Sequence, residues 1–167
     1  MSHHAYTGAN WRVHLPASWR HADTLASGVA YFESADARFG LYIATWDIQQ
    51  HDLDADEVVQ DFMQSSMQTL DDMPDHRWTH APHLTGPGQA LVDSLASERT
   101  YRVITRLIAQ PPLVLRAAFH DYAFESVAAS NGALAPLRES VALVGAARPS
   151  PARQGAQPHG CEDCRVC

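Results

Sequence analysis

The sequence predicts an α+β fold: an antiparallel sheet of about six or seven strands with one long helix and one or two short helices packed on it. Three observations lead there. Phe39, Leu41 and Ile43 alternate with Gly40, Tyr42 and Ala44, and Trp46 and Ile48 extend the second set. Both faces of that strand are largely apolar, which marks it as central in its sheet. The period then changes. Val59, Phe62, Met63, Ser66, Met67, Leu70 and Met73 recur at helical spacing, so residues 54–73 read as one long helix lying across the sheet. After it come three apolar runs, residues 89–97, 100–109 and 113–120, which read as a meander of strands.

Taken in order, residues 1–10 are expected to be flexible, 11–144 to form a single domain, and the Pro/Gly-rich 145–167 to be a flexible tail. Trp11, Val13 and Leu15 suggest a first strand, ended by Pro16 and Ser18, with Trp19 folding back onto the core. Val29 and Tyr31 against Ala30 and Phe32 give a second strand, and 34–38 suits a hairpin turn. Asp54 can cap the long helix; Glu57, three residues on, and Asp56 suit its positive end. The helix methionines invite a plastic binding groove, but core filling is the favoured reading. Pro74 should stop the helix. Residues 77–84 read as a strand with Trp78 buried. Thr85-Gly86-Pro87-Gly88 is a turn and not a phosphate loop, since no Lys-Ser or Lys-Thr follows. Glu98 and Arg99 fit a tight connection, and Pro111 and Pro112 break the last two strands apart. A short helix over 121–130 is punctuated by Asn131-Gly132, and a last helix runs from Pro136 through Leu143, with Gly145 beyond it.

The charge is unevenly placed. The chain has no Lys, and 12 Arg face 19 acids for a formal charge of -7. Nine acids and no Arg lie between Asp47 and Asp75. A solvated helix face is the favoured reading; the sharper one is a docking surface for a basic partner, through Asp56, Asp61 and Asp71. Arg102, Ile104, Arg106 and Ile108 share one strand face, and Arg116 has the parity to join them in a basic patch. That patch could pair with acids of the same molecule, slightly preferred, or bind an acidic partner. No basic stripe suits nucleic acid. No run approaches the roughly 20 apolar residues of a membrane span. The first ten residues hold no apolar signal-peptide core, so a cytoplasmic protein is expected.

Catalysis finds little support. His120 and Asp121 are neighbours at a strand end, where functional residues collect, but adjacent strand residues point to opposite faces. No Gly-x-Ser-x-Gly elbow accompanies them. His120 therefore reads as a structural or interface residue. His76, His80 and His83 resemble a metal cluster on paper, yet His76 and His80 would stand roughly 13 Å apart in an extended segment. The domain is expected to be non-enzymatic, to need no cofactor, and to act by binding another protein, with a homodimer also open.

One family resemblance is carried by the opening Trp11-Arg-Val-His-Leu-Pro16 followed by Trp19, the strand-rich stretch through Ile48, the helix from Asp54, and the strand ending Phe119-His120-Asp121-Tyr122. Over residues 11–144 the chain resembles the PsbP/DcrB-like αβα-sandwich superfamily. The resemblance implies protein binding without a shared catalytic centre. Members include photosystem extrinsic subunits, a Ran-binding nuclear import factor, envelope lipoproteins and chaperones for type VI secretion effectors. With no lipoprotein cysteine near the N-terminus, the envelope branch is disfavoured, and a chaperone or adaptor linked to bacterial secretion is the expectation. The alternative is an immunity or antitoxin-like protein whose acidic surface blocks a basic cleft. A concave, apolar exposed sheet face would favour the chaperone.

A third role rests on the tail. His159, Cys161, Cys164 and Cys167 offer one imidazole and three thiols within a short stretch. Zinc or copper(I) prefers such a set. The Cys-x-x-Cys spacing could equally form a redox disulfide, and cysteines without a task are the bland reading.

Overall fold

The computed structural model describes residues 2–22, 28–71, 75–96 and 100–145. Its chain opens with β1 (His3–Thr7) and β2 (Trp11–Pro16), an antiparallel pair. Next come β3 (Arg20–Ala22), β4 (Val29–Glu33), β5 (Phe39–Asp47) and the long helix α1 (Ala55–Asp71). A meander follows: β6 (Arg77–Gly86), β7 (Gln89–Ala96), β8 (Tyr101–Gln110) and β9 (Leu113–Asp121). Helix α2 (Val127–Ser140) and β10 (Ala142–Leu143) close the described chain. The main sheet is antiparallel, in the order β3-β4-β5-β9-β8-β7-β6; β1-β2-β10 is a separate three-stranded sheet. The strand with two apolar faces, β5, does lie inside its sheet, between β4 and β9.

The two faces of the large sheet are treated differently. On one, Leu41, Ile43, Phe32, Ile104, Leu115 and Phe119 meet Val13, Leu15 and Trp19 of the first segment and Leu134, Leu137 and Val141 at α2. That layer is continuous. On the other face, Val58 and Val59 of α1 pack onto Ala90, Leu107, Ala109 and Val114. Small residues at 90 and 109 let the helix approach the sheet closely. The Asp54 carboxylate accepts from the amides of Asp56 (2.8 Å) and Glu57 (3.1 Å), capping α1 as its sequence predicts. One helix cannot cover seven strands. α1 lies over β7 and β8, and the β4–β5–β9 part of the face is left open.

Several elements depart from expectation. Residues 3–7, expected to be loose, form β1, because Tyr6 packs on the aromatic ring of Phe32 and gives this polar strand an anchor. The three-residue β3 was not foreseen; an Arg20–Glu33 pair holds its start on β4. The expected pair of C-terminal helices is one helix, α2, running through Asn131, Gly132 and Pro136. Ser126 caps it, accepting from the Ala129 amide at 3.2 Å. Ser130, Leu134 and Leu137 are buried along one face of α2, so tertiary burial overrides two local breakers. Trp78 is only half-buried. Met73, Pro74, Glu98, Arg99 and the tail from 146 onward lie outside the described residues.

Candidate functional site

Strand parity builds the site. Tyr42 pairs with Tyr31 on one side and with Ala118 on the other; Ala44 pairs with Arg116, and Gly40 with His120. Val29, Tyr42, Ala44, Trp46, Arg116, Ala118 and His120 thus share the uncovered face, where they line a cleft of about 360 Å³. Ala44 and Ala118 form its floor, and larger side chains rise around them. Trp46 closes one end, its ring 5.4 Å from that of Phe62 on α1. Tyr122 stands beyond His120 at the other end, the two rings stacked at 5.7 Å. Both end residues stay exposed, Trp46 at 40% and Tyr122 at 41%, among the few large apolar side chains that do. From residue 40 to residue 46 the cleft follows the strands for roughly 20 Å.

At the His120 end the side chains form one aromatic cluster. Tyr31 stacks on Tyr42 (4.4 Å), Tyr42 meets His120 edge-on (4.9 Å), and Tyr101 stacks on Tyr122 (5.5 Å). Gly40 makes this packing feasible. A Cβ there would stand 2.8 Å from the Tyr122 hydroxyl and 3.2 Å from the Tyr31 ring. Burial raises the phenols of Tyr31 and Tyr122; for Tyr122, hydrogen bonds to Tyr42 and Tyr31 raise it further. Burial pushes Tyr101 up to about 12. Burial, and secondarily the Arg116 charge, push His120 down to about 4. A protonated phenol therefore faces a neutral imidazole, and the Tyr101 hydroxyl and His120 Nδ1 share a hydrogen bond.

That depressed value has a signed consequence. An unfolded chain protonates this imidazole near pH 6.5, whereas the native one resists to about 4. Between those values the unfolded state binds more protons, so stability falls as the pH drops from 6.5 towards 4. A His120→Gln variant should lose that part of the decline. Proton NMR of the imidazole should show no titration above pH 5; a midpoint near 6.5 would contradict the assignment.

Arg116 is the cation of the cleft. Burial lowers its pKa, its Nε is buried with no partner, and it makes no ion pair among the described residues. It does not join Arg102 and Arg106. Arg116 pairs with Leu107 and Arg106 with Ala117, so Arg116 faces the opposite side of the sheet; the expected three-residue patch does not exist. Arg102 is buried and grips both oxygens of Asp93, at 2.9 and 2.6 Å. Arg106 donates to the carbonyls of Arg138 and Val141 at the end of α2 and to the Gln89 side chain. Arg102 is thus engaged in a buried internal ion pair, while Arg106 is held by neutral acceptors of the same molecule.

The acidic candidates are dispersed too. Asp56 accepts from the Gly88 amide at 2.5 Å, tying α1 to the β6–β7 turn. Asp71 faces His76 at 3.6 Å, and Asp61 is exposed without a bond among the described residues. His80 approaches Asp93 and His83 the Ala81 carbonyl, and no metal-holding group of three forms among the described residues. Asp121 lies on the buried face with Arg38, opposite His120. His159, Cys161, Cys164 and Cys167 lie outside the described residues. Of the candidates, Arg116 and His120 are the two that the fold brings together. Tyr31, Tyr42, Trp46, Tyr101 and Tyr122 were missed, although the apolar second face of β5 pointed to three of the cleft residues.

No protein-family model matches this sequence, and no curated protein does. Solved structures do match. The cyanobacterial PsbP (CyanoP) of Synechocystis sp. PCC 6803 superposes with a TM-score of 0.60 at 12% identity, over 86% of this chain and 93% of its own. The chain has a PsbP/Mog1-type sandwich fold. The Saccharomyces cerevisiae Ran-binding protein Mog1p gives 0.53 at 10% identity, over 86% of this chain and 96% of its own. A Bacteroides thetaiotaomicron protein gives 0.53 at 11% identity; the match covers 81% of this chain and 45% of that one. In this PsbP-like sandwich, no helix of the described residues is long and apolar enough to cross a membrane.

Proposed function

We propose that this PsbP-like domain is a non-catalytic protein-binding module, a chaperone or adaptor that seats an extended apolar segment of a partner in the open cleft. The observation carrying this is the concave, aromatic-walled sheet face that α1 leaves uncovered, with Trp46 and Tyr122 exposed at its two ends. Its length suits about six residues of extended chain. The Ran-binding protein that shares the fold supports protein recognition as its use. The immunity-like reading through the acidic helix face is weaker, because Asp56 and Asp71 already have internal partners. Affinity capture from lysate with paired variants tests this. Filling the cleft with Ala44→Trp should abolish capture of whatever the wild type retains, and Asp61→Lys on α1 should not. The reverse pattern would overturn the cleft reading in favour of the acidic face.

A further inference from the structure

The cleft holds a charge that the protein itself does not balance. Arg38 pairs with Asp121 and Glu125, Arg102 with Asp93, and Arg106 with carbonyls and Gln89. Arg116 has neither an ion pair nor a hydrogen bond among the described residues, and its Nε is buried. An uncompensated guanidinium partly out of water is destabilising, and an apolar side chain of similar size would do better. Glu33, an acid on β4 two strands away, is already held by Arg20. Around Arg116 stand Tyr42, Ala44, Trp46 and Ala118, which offer apolar contact and no counter-charge. His120 lines the same cleft and is hydrogen-bonded through Nδ1 to Tyr101.

We propose that Arg116 anchors a carboxylate of the bound segment, an acidic side chain next to an apolar one, with the apolar group lying on the aromatic wall. This rests on the protein-binding reading above. A guanidinium fork matches the two oxygens of a carboxylate, and the half-dry setting strengthens the pairing. A phosphate dianion suits the site less well, since Arg116 is the only cation among the lining residues. The occupant is therefore apolar in body and anionic at one point.

The test titrates the full chain with N-acetyl-Phe-Glu-amide and its uncharged counterpart N-acetyl-Phe-Gln-amide, following the Trp46 indole and His120 ring by NMR. On wild type the Glu peptide should bind about 10-fold more tightly. Arg116→Met should erase that preference, the two peptides then binding equally, and Arg116→Lys should keep part of it. Because Arg116 is unpaired, Arg116→Met should not lower the urea midpoint, which keeps the comparison between folded proteins. Binding of the Glu peptide should also raise the His120 pKa. Equal affinity of the two peptides on wild type, or a preference that survives Arg116→Met, would overturn the anchor. Arg116-dependent binding of 3-phenylpropionate over 3-phenylpropionamide, with neither peptide bound, would overturn a protein segment as the source. If partner capture is insensitive to Ala44→Trp but the Glu preference persists, the protein-binding reading falls and the anchor stands.

Discussion

Replacing Asp93 with Ala is expected to cost about 4 kcal/mol of folding stability, the cost of leaving one partner of a buried ion pair alone. Asp93 on β7 and Arg102 on β8 lie diagonally across one ladder and share a face. Both are nearly inaccessible, at 4% and 1% exposure. The guanidinium meets both carboxylate oxygens, reaches towards the Val127 carbonyl at the start of α2 (3.5 Å), and lies 5.9 Å from the Phe124 ring centre. Removing the carboxylate strands a charge that has no route to water. Exchanging both residues, Asp93→Leu with Arg102→Met, should recover most of the loss, because a well-packed apolar pair substitutes for a buried ion pair at little cost. Urea denaturation followed by tryptophan fluorescence measures the cycle. A single-variant cost below about 1 kcal/mol would mean that the pair is solvated in solution.

Gly88→Ala should cost about 3 kcal/mol and loosen α1 from the sheet. Gly88 sits in the β6–β7 turn at φ +62°, where a side chain is strained. Its amide donates to Asp56 on the first turn of α1, and its carbonyl accepts from the Ala109 amide at 2.7 Å. A Cβ would fall on the Ala109 carbonyl oxygen and within 3.0 Å of the Ala55 Cβ. Neither neighbour is a flexible side-chain end, so backbone must move. Because α1 bears Phe62, which supports Trp46, the variant should also alter the cleft. The readouts are the urea midpoint and the Trp46 indole resonance. Wild-type stability together with an unchanged indole signal would show that the turn does not position the helix.

The buried side of the sheet is filled from β2 and α2, whereas α1 covers only part of the opposite side. Tyr42 and Trp46 on β5 and His120 on β9 thus stand on the part of that face that no helix of the described residues covers.

What the sequence determined by itself is what depends on short-range periodicity. The two-faced apolar strand at Phe39, the helix from its Asp54 cap, and the meander around Pro111-Pro112 were all legible, since alternation and helical spacing report local structure directly. The overall α+β sandwich followed from that order of elements. The merging of two expected helices into α2 was not legible, because burial of Leu134 and Leu137 outweighs the local signals of Gly132 and Pro136. Register decided the rest. Parity within one strand places Arg102 and Arg106 together, but which face Arg116 takes depends on its pairing with Leu107, and one residue of slip would reverse it. In the same way, Tyr31, Tyr42, Tyr101, His120 and Tyr122 come from four separate segments. They meet only because β4, β5, β9 and β8 pair in this order, and because α1 is too narrow to cover the face on which they stand.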